Sequence, residues 1–359
     1  MLTDRERWLR TMRYESVDHR PLGLVGPWID TLERWYGEGL PRGVDVHEFL
    51  GVQGSRMINI SGIAGLYPFY ETRTISEDKT FRISLDSYGR TVRTFIDHTS
   101  MPEWLDFPVK SPADLQQVLD EHFDIDNLDA RFGPEWEAKI QQDAQTGAVI
   151  MIDGGCYYWT LRSLAGVEYA SYLFYDAPEL IDELFERYYT VVMEGIRRAA
   201  KLVRIDCIGF GEDIAYKTGT LISPAMFRQY ILPRYAKTME LAHSIGVEFT
   251  AYDSDGDVRE FIPDYLNVGI NGLAPCEVAA NMIPSELRKQ FGRDLRMIGG
   301  IDKREVARGK AAIDAEIERN KSLIDEGGYI PSIDHSVSSD ISFDNYRYYL
   351  DAIQKALGM

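Results

Sequence analysis

Short apolar runs alternate along this chain with longer amphipathic stretches, and that alternation predicts its architecture. Residues 21–25, 148–153 (AVIMID), 206–211, 247–252, 270–274, 295–298 and 329–333 read as strands, with an eighth near 57–60. Between and around them, residues 3–14, 28–39, 178–203, 224–245, 258–268, 283–291, 311–326 and 343–357 have the spacing of helices. The first begins with Thr3 followed three residues later by Glu6, the pattern of a capping box, and the second stops at Gly39 just before Pro41. Strands alternating with helices over most of the chain predict an α/β fold of the (β/α)8 TIM-barrel type, with a doubly wound sheet as the competing arrangement.

One stretch breaks the rhythm. From about 56 to 97, YETRTISEDKTFRISLDSYGRTVRTF alternates β-branched and polar residues and is interrupted at Glu77-Asp78-Lys79 and Ser87-Tyr88-Gly89. That pattern predicts an antiparallel excursion of two or three strands. Residues 1–359 are therefore expected to form one barrel domain with an insertion at about 44–110, the segment 70–92 covering or flanking the barrel mouth.

Composition narrows the function classes. Hydrophobic residues make up 45% of the 359, enough for a large core, and 39 basic against 57 acidic side chains leave a formal charge of −18. A surface this acidic argues against nucleic acid and anionic membranes as partners. Cys156, Cys207 and Cys276 are widely spaced and include no CxxC pair, so neither a disulfide framework nor a cysteine-rich zinc module is expected. The segment MLTDRERWLRTMRYE lacks an apolar h-region and no run is long enough to span a bilayer, so a cytoplasmic protein is expected.

In a barrel the strand ends at one face build the site. Here those ends carry Trp28; Asp153 and Tyr157-Tyr158-Trp159; Glu212, Asp213 and Tyr216; Asp253, Asp255 and Asp257; Cys276-Glu277; Gly299-Gly300 and Asp302; and Asp334-His335. Each has a plainer explanation. Glu212-Asp213 could complement a helix dipole, Asp255-Gly256-Asp257 could be a turn and cap, and Gly299-Gly300 a tight turn. The three alternating aspartates 253, 255 and 257 still require something to offset their repulsion: a cation, basic side chains such as Lys303 or Arg259, a substrate, or water.

The segments GEDIAYKTGTLISPAMFRQYILPRY, MIGGIDKREVARG and GGYIPSIDHSVSSDISFDNYRYYL resemble the uroporphyrinogen decarboxylase (URO-D) superfamily, with a weaker echo in RERWLRTMRYESVDHRPLG. The resemblance implies a (β/α)8 barrel and either porphyrinogen decarboxylation or cobalamin-linked methyl transfer. The decarboxylase's Arg-Gln-Ala-Gly-Arg clamp is replaced here by Gly26-Pro27-Trp28-Ile29-Asp30, which favours the methyltransferase branch. That branch binds zinc through His-x-Cys and a distant Cys. On this chain those places fall on Asp253, Asp255 and His335, an O, O, N set that implies a divalent metal, zinc first, held without thiolates.

The resemblance thus implies a corrinoid-dependent methyltransferase or demethylase. It would move a methyl group from a methoxylated or N-methylated small molecule to cob(I)alamin, giving methylcobalamin on a partner corrinoid protein. Glu212, Asp213, Tyr216, Glu277 and His335 are the expected proton handlers, and Trp28, Tyr157, Tyr158, Trp159 and Asp302 the expected substrate contacts. Two other readings stand beside it: a decarboxylase-like lyase using His335 and Tyr157, and a silent barrel acting as a binding subunit. A homodimer is compatible with all three.

Overall fold

The computed structural model describes residues 2–60, 65–96 and 101–359; parts of the 44–110 insertion, residues 61–64 and 97–100, and the Asp97 limit of the excursion lie outside them. The strands in chain order are β1 (Met57–Ile60), β2 (Arg73–Glu77), β3 (Phe81–Leu85), β4 (Thr91–Phe95), β5 (Glu103–Asp106), β6 (Val149–Gly155), β7 (Cys207–Gly211), β8 (Ala215–Tyr216), β9 (Gly219–Thr220), β10 (Phe249–Asp253), β11 (Gly272–Ala274), β12 (Arg296–Ile301) and β13 (Tyr329–Ile333). Seven of them form one parallel sheet in the order β1-β6-β7-β10-β11-β12-β13. They coincide with the seven apolar runs expected at 57–60 and from 148 onward.

The remaining expected strand, 21–25, is not a regular strand, yet it occupies the gap between the two sheet edges. Gly23 N donates to Pro331 O in β13 at 2.9 Å, and Leu22 O accepts from Ser55 N, just before β1, at 2.7 Å. Its approach is close: a Cβ on Gly23 would lie 2.8 Å from Ser332 Cβ. The eight positions of a barrel are thus filled in sequence order, one of them by irregular backbone.

The first helix, Asp4–Met12, explains the opposite end. Its capping box is present: Glu6 N donates to Thr3 Oγ1 at 3.2 Å and Thr3 N to the Glu6 carboxylate at 2.7 Å. The helix pushes Trp8, Leu9 and Met12 against Val149, Cys207, Phe249 and Ile330, all at the starts of barrel strands. Arg5 bonds Asp206 at 2.7 and 2.6 Å, and Arg13 bonds Glu248 at 2.8 and 2.6 Å, so the strand-start face is plugged and clamped. That leaves the strand-end face open to build a site.

The insertion contains four antiparallel strands, β2-β3-β4-β5, where two or three were expected. Its turns fall at the expected breaks because aspartate side chains shape them. Asp78 Oδ1 accepts Thr80 N and Phe81 N at 2.7 and 2.8 Å, and Asp86 Oδ1 accepts Tyr88 N and Arg90 N at 2.9 and 3.0 Å.

Several helices depart from expectation. Pro112–His122, Pro134–Ala144, Tyr157–Asp176 and Lys303–Arg308 form where loops or nothing definite was read. The predicted helix at 258–268 shrinks to Ile262–Asn267, and that at 224–245 contains a wide π turn, Phe227–Ile231. Pro233 sits at the start of the next helical segment, Leu232–Ser244, and cannot donate a backbone hydrogen bond, which the looser turn accommodates. Among the described residues no helix is long and apolar enough to cross a membrane.

Candidate active site

The strand β10 delivers Asp253 at its last residue, and the loop after it is tightly fixed. Ser254 is buried; its hydroxyl accepts from Ile214 N at 3.1 Å and donates to Asp255 O at 3.0 Å. Gly256 takes φ +84 and approaches the 215–216 backbone so closely that a Cβ would lie 2.7 Å from Ala215 O. Asp255 Oδ2 lies 3.4 Å from His335 Nε2 at the end of β13. From the end of β7, Asp213 accepts Asp255 N at 3.4 Å with one oxygen and Arg162 Nη2 at 2.8 Å with the other. Glu277, after β11, accepts Gly256 N at 3.2 Å. The expected Asp213, Asp253, Asp255, Glu277 and His335 are therefore gathered at one mouth.

The charges in this group act on one another. Burial by the walls, then the like charges of Asp213 and Asp255, push the Asp253 carboxyl up to about 6, with His335 opposing. The hydrogen bond from His335 holds Asp255 below its usual range against burial, and the same bond raises His335. Lys303 stands near enough to favour the Asp255 carboxylate and disfavour the His335 cation. Such an arrangement can hold a cation, and it can hand on a proton near neutral pH.

Two aromatic side chains complete the rim. The Trp28 ring meets His335 edge-on at 6.4 Å, its backbone N–H bonded to Val337 O at 3.1 Å. Trp159 packs edge-on against Tyr88 at 5.2 Å, which brings the β3–β4 turn of the insertion onto the mouth. Burial first, then Cys156 and Asp153 among its neighbours, pushes the Tyr88 phenol up to about 12. Asp153 itself accepts from Asn59 Nδ2 at 3.2 Å.

Other expected residues stand elsewhere. Tyr157 and Tyr158 are fully buried, Tyr157 among the rings of Phe185, Tyr188 and Tyr235, so they are core packing and not substrate walls. The lyase reading that paired His335 with Tyr157 loses its second group. Glu212 is also fully buried, bonded to backbone amides and to Tyr235, and has no face toward a substrate proton. Asp302 is 4% exposed and committed to its own helix: it caps Arg304 N at 2.9 Å and pairs with the Arg304 guanidinium. Tyr216 is 61% exposed on the small β8–β9 hairpin, with Lys217 above its ring at 6.0 Å; its carbonyl accepts from Asp257 N at 3.0 Å, and among the described residues its hydroxyl is not hydrogen-bonded to the carboxylates. Asp257 is the turn residue its plainer reading describes, paired with Arg259. Gly299 is required by packing, since at φ +104 a Cβ would fall 1.8 Å from Pro275 O.

A metal set fares differently. Asp255 and His335 are neighbours and Asp253 feels both, yet among the described residues no three His, Cys, Asp or Glu side chains are disposed to hold a metal ion. His335 Nε2 is turned to Asp255, and the donors as they stand do not fit a resident metal ion. The site residue that sequence reasoning missed is Arg162. Its only signal was helical spacing, three positions after Trp159, in a stretch not read as helix.

Residues 149–356, more than half of the chain, match the family model described as uroporphyrinogen decarboxylase (URO-D). Among solved structures, a methyltransferase from Methanosarcina mazei superposes with a TM-score of 0.58 at 15% identity, covering 99% of each chain. A B12-independent methionine synthase from Shewanella sp. W3-18-1, in complex with selenomethionine, gives a TM-score of 0.42 at 13% identity over 82% of this chain and 75% of its own. No curated protein matches the sequence. With its barrel order, its strand-end site and a family match across β6 to β13, the chain belongs to the uroporphyrinogen decarboxylase family.

Proposed function

We propose that this protein is a methyltransferase that takes a methyl group from a small N-methylated cation and passes it to a corrinoid carried by a partner protein. The observation that carries the reading is the excess of carboxylates at a mouth flanked by indoles. Among the described residues, Asp213, Asp253, Asp255 and Glu277 face Arg162, Lys303 and His335 as counter-charges. A methylated ammonium suits such a mouth, because carboxylates and the faces of Trp28 and Trp159 both attract it. A polyanionic porphyrinogen would meet like charge, and of the cations here Arg162 is already bound to Asp213. The reaction class follows the methyltransferase whose fold this chain shares.

The chain's own residues have defined parts in this reading. Asp253 and Glu277 attract the cation, and Trp28 and Trp159 confine its methyl groups. The His335–Asp255 pair supplies a proton to the amine released when the carbon–nitrogen bond breaks and its electron pair stays on nitrogen. The corrinoid, when bound, supplies the nucleophile that receives the methyl group. The Asp253, Asp255 and His335 donors as they stand do not fit a resident metal.

The test incubates the pure protein with reduced cobalamin and, separately, tetramethylammonium, N-methylated amines, methoxylated aromatics and uroporphyrinogen. The cobalamin visible spectrum reports methylation, and mass spectrometry reports the demethylated product. Methyl transfer from an N-methylated cation is expected. Turnover of methoxylated aromatics alone overturns the substrate class, and decarboxylation of uroporphyrinogen overturns the reaction class.

A further inference from the structure

The helix Tyr157–Asp176 starts at the mouth without a cap of its own: Cys156 stands at the N-cap position and its side chain makes no capping hydrogen bond. The first amides of a helix need acceptors, especially when buried. Here they find them on a different element. Glu212, at the end of β7, accepts Tyr157 N with Oε1 at 2.7 Å and Trp159 N with Oε2 at 2.9 Å. Its Oε1 also accepts the hydroxyl of Tyr235, from the helix Leu232–Ser244. The next residue, Asp213, grips the same helix one turn on through Arg162 Nη2 at 2.8 Å. Asp213 takes φ +42, a turn that separates the two carboxylates, the first buried inward and the second open at the mouth.

We propose that Glu212 is a positioning residue: its carboxylate, held by Tyr235, seats the first turn of the Tyr157–Asp176 helix and so aims Trp159 and Arg162 at the mouth. Gln in its place supplies a single acceptor oxygen, and its amide would turn a donor toward one of the helix amides. Whichever way it turns, one of the two amides loses its partner. The first turn then shifts, and Trp159, whose own amide is one of the two, shifts with it. The proposal rests on the proposed substrate site only in saying what Trp159 is aimed at.

The experiment replaces all six tryptophans with 5-fluorotryptophan and records fluorine NMR of the full chain, Trp159→Phe identifying one line. Glu212→Gln is expected to move or split the Trp159 line while those of Trp8, Trp28, Trp35, Trp104 and Trp136 stay. Tyr235→Phe, which removes one of the three bonds, is expected to move it less and in the same direction. A merely structural cap would lower the melting temperature and leave the Trp159 line of the folded protein in place, and that result overturns the proposal. All six lines moving together overturns it as well. Should Glu212→Gln not fold, Tyr235→Phe decides alone: an unmoved Trp159 line is refutation. Titration of the wild type with tetramethylammonium is read separately. A Trp159 line that ignores the probe refutes the substrate class and leaves the positioning result standing.

Discussion

Replacing Asp255 with Asn should convert His335 from a histidine that holds its proton tightly into one that gives it up early. In the native site the hydrogen bond to Asp255 is the largest influence on His335 and raises its pKa, with the Asp255 charge and Glu277 adding to it and burial and Lys303 opposing. The substituted amide keeps the shape but removes the charge, leaving burial and Lys303 dominant, so the imidazole should titrate below its ordinary 6.5. At 3.4 Å the pair interacts by about 1 kcal/mol at the aqueous limit, the appropriate end of the range for side chains 30% and 45% exposed.

The sign in stability follows. A raised histidine stabilises the fold below its unfolded pKa and loses that contribution as pH rises through the folded value. Asp255, held low, contributes above its unfolded value and fails in acid. The stability difference between wild type and variant should therefore be greatest between about pH 4 and 6.5, narrowing on both sides. Carbon-13 labelling of the histidine Cε1 positions, after dialysis against EDTA and with His335→Gln for assignment, gives the titration directly. An unchanged His335 midpoint in Asp255→Asn refutes the pairing.

Other outcomes can be stated with it. Trp8→Ala should cost about 3–5 kcal/mol by emptying the plug beneath the barrel, read by chemical denaturation; a loss under about 1 kcal/mol would mean that the helix is only appended. Gly299→Ala should abolish soluble folded protein, because a Cβ 1.8 Å from Pro275 O cannot be relieved by moving a side chain; a wild-type circular dichroism melt would contradict that. Zinc added to metal-free protein should bind weakly and be unaffected by His335→Ala, whereas stoichiometric binding lost in that variant would restore the Asp253, Asp255 and His335 ligand set. Replacing residues 70–92 with a short linker should remove Tyr88 from Trp159 and abolish ligand binding before it lowers the far-ultraviolet helical signal; outright unfolding would make the insertion structural.

Much of this was legible from residue pattern. Period and length separated strands from helices because the barrel strands are buried on both sides, and Thr3 with Glu6 fixed the first helix start through its own side chains. The site was legible as a place, since strand ends converge in a barrel, but not residue by residue. Glu212 and Asp302 have the same local look as Asp253 and Asp255, being carboxylates after apolar runs. What divides them is whether a helix amide claims the oxygen, as Trp159 N claims Glu212 and Arg304 N claims Asp302. The helix carrying Arg162 was hidden for another reason. Its sequence YYWTLRSLAGVEYASYLFYD is apolar nearly all round, so no amphipathic stripe announces it.

The irregular backbone at 21–25 bears on how the chain reaches this state. It bonds β13 through residues 23 and 331, and joining points so far apart costs about 5 kcal/mol in loop-closure entropy for a chain of that length. These residues are translated long before Pro331, one of their two partners. At about 5–20 residues per second, Leu22 and Gly23 wait roughly 15–60 seconds for it. During that interval Trp8 and Leu9 can find Val149, Cys207 and Phe249 before Ile330 exists. An open, plugged crescent can therefore form first, and β13, once translated, draws residues 21–25 into the ring.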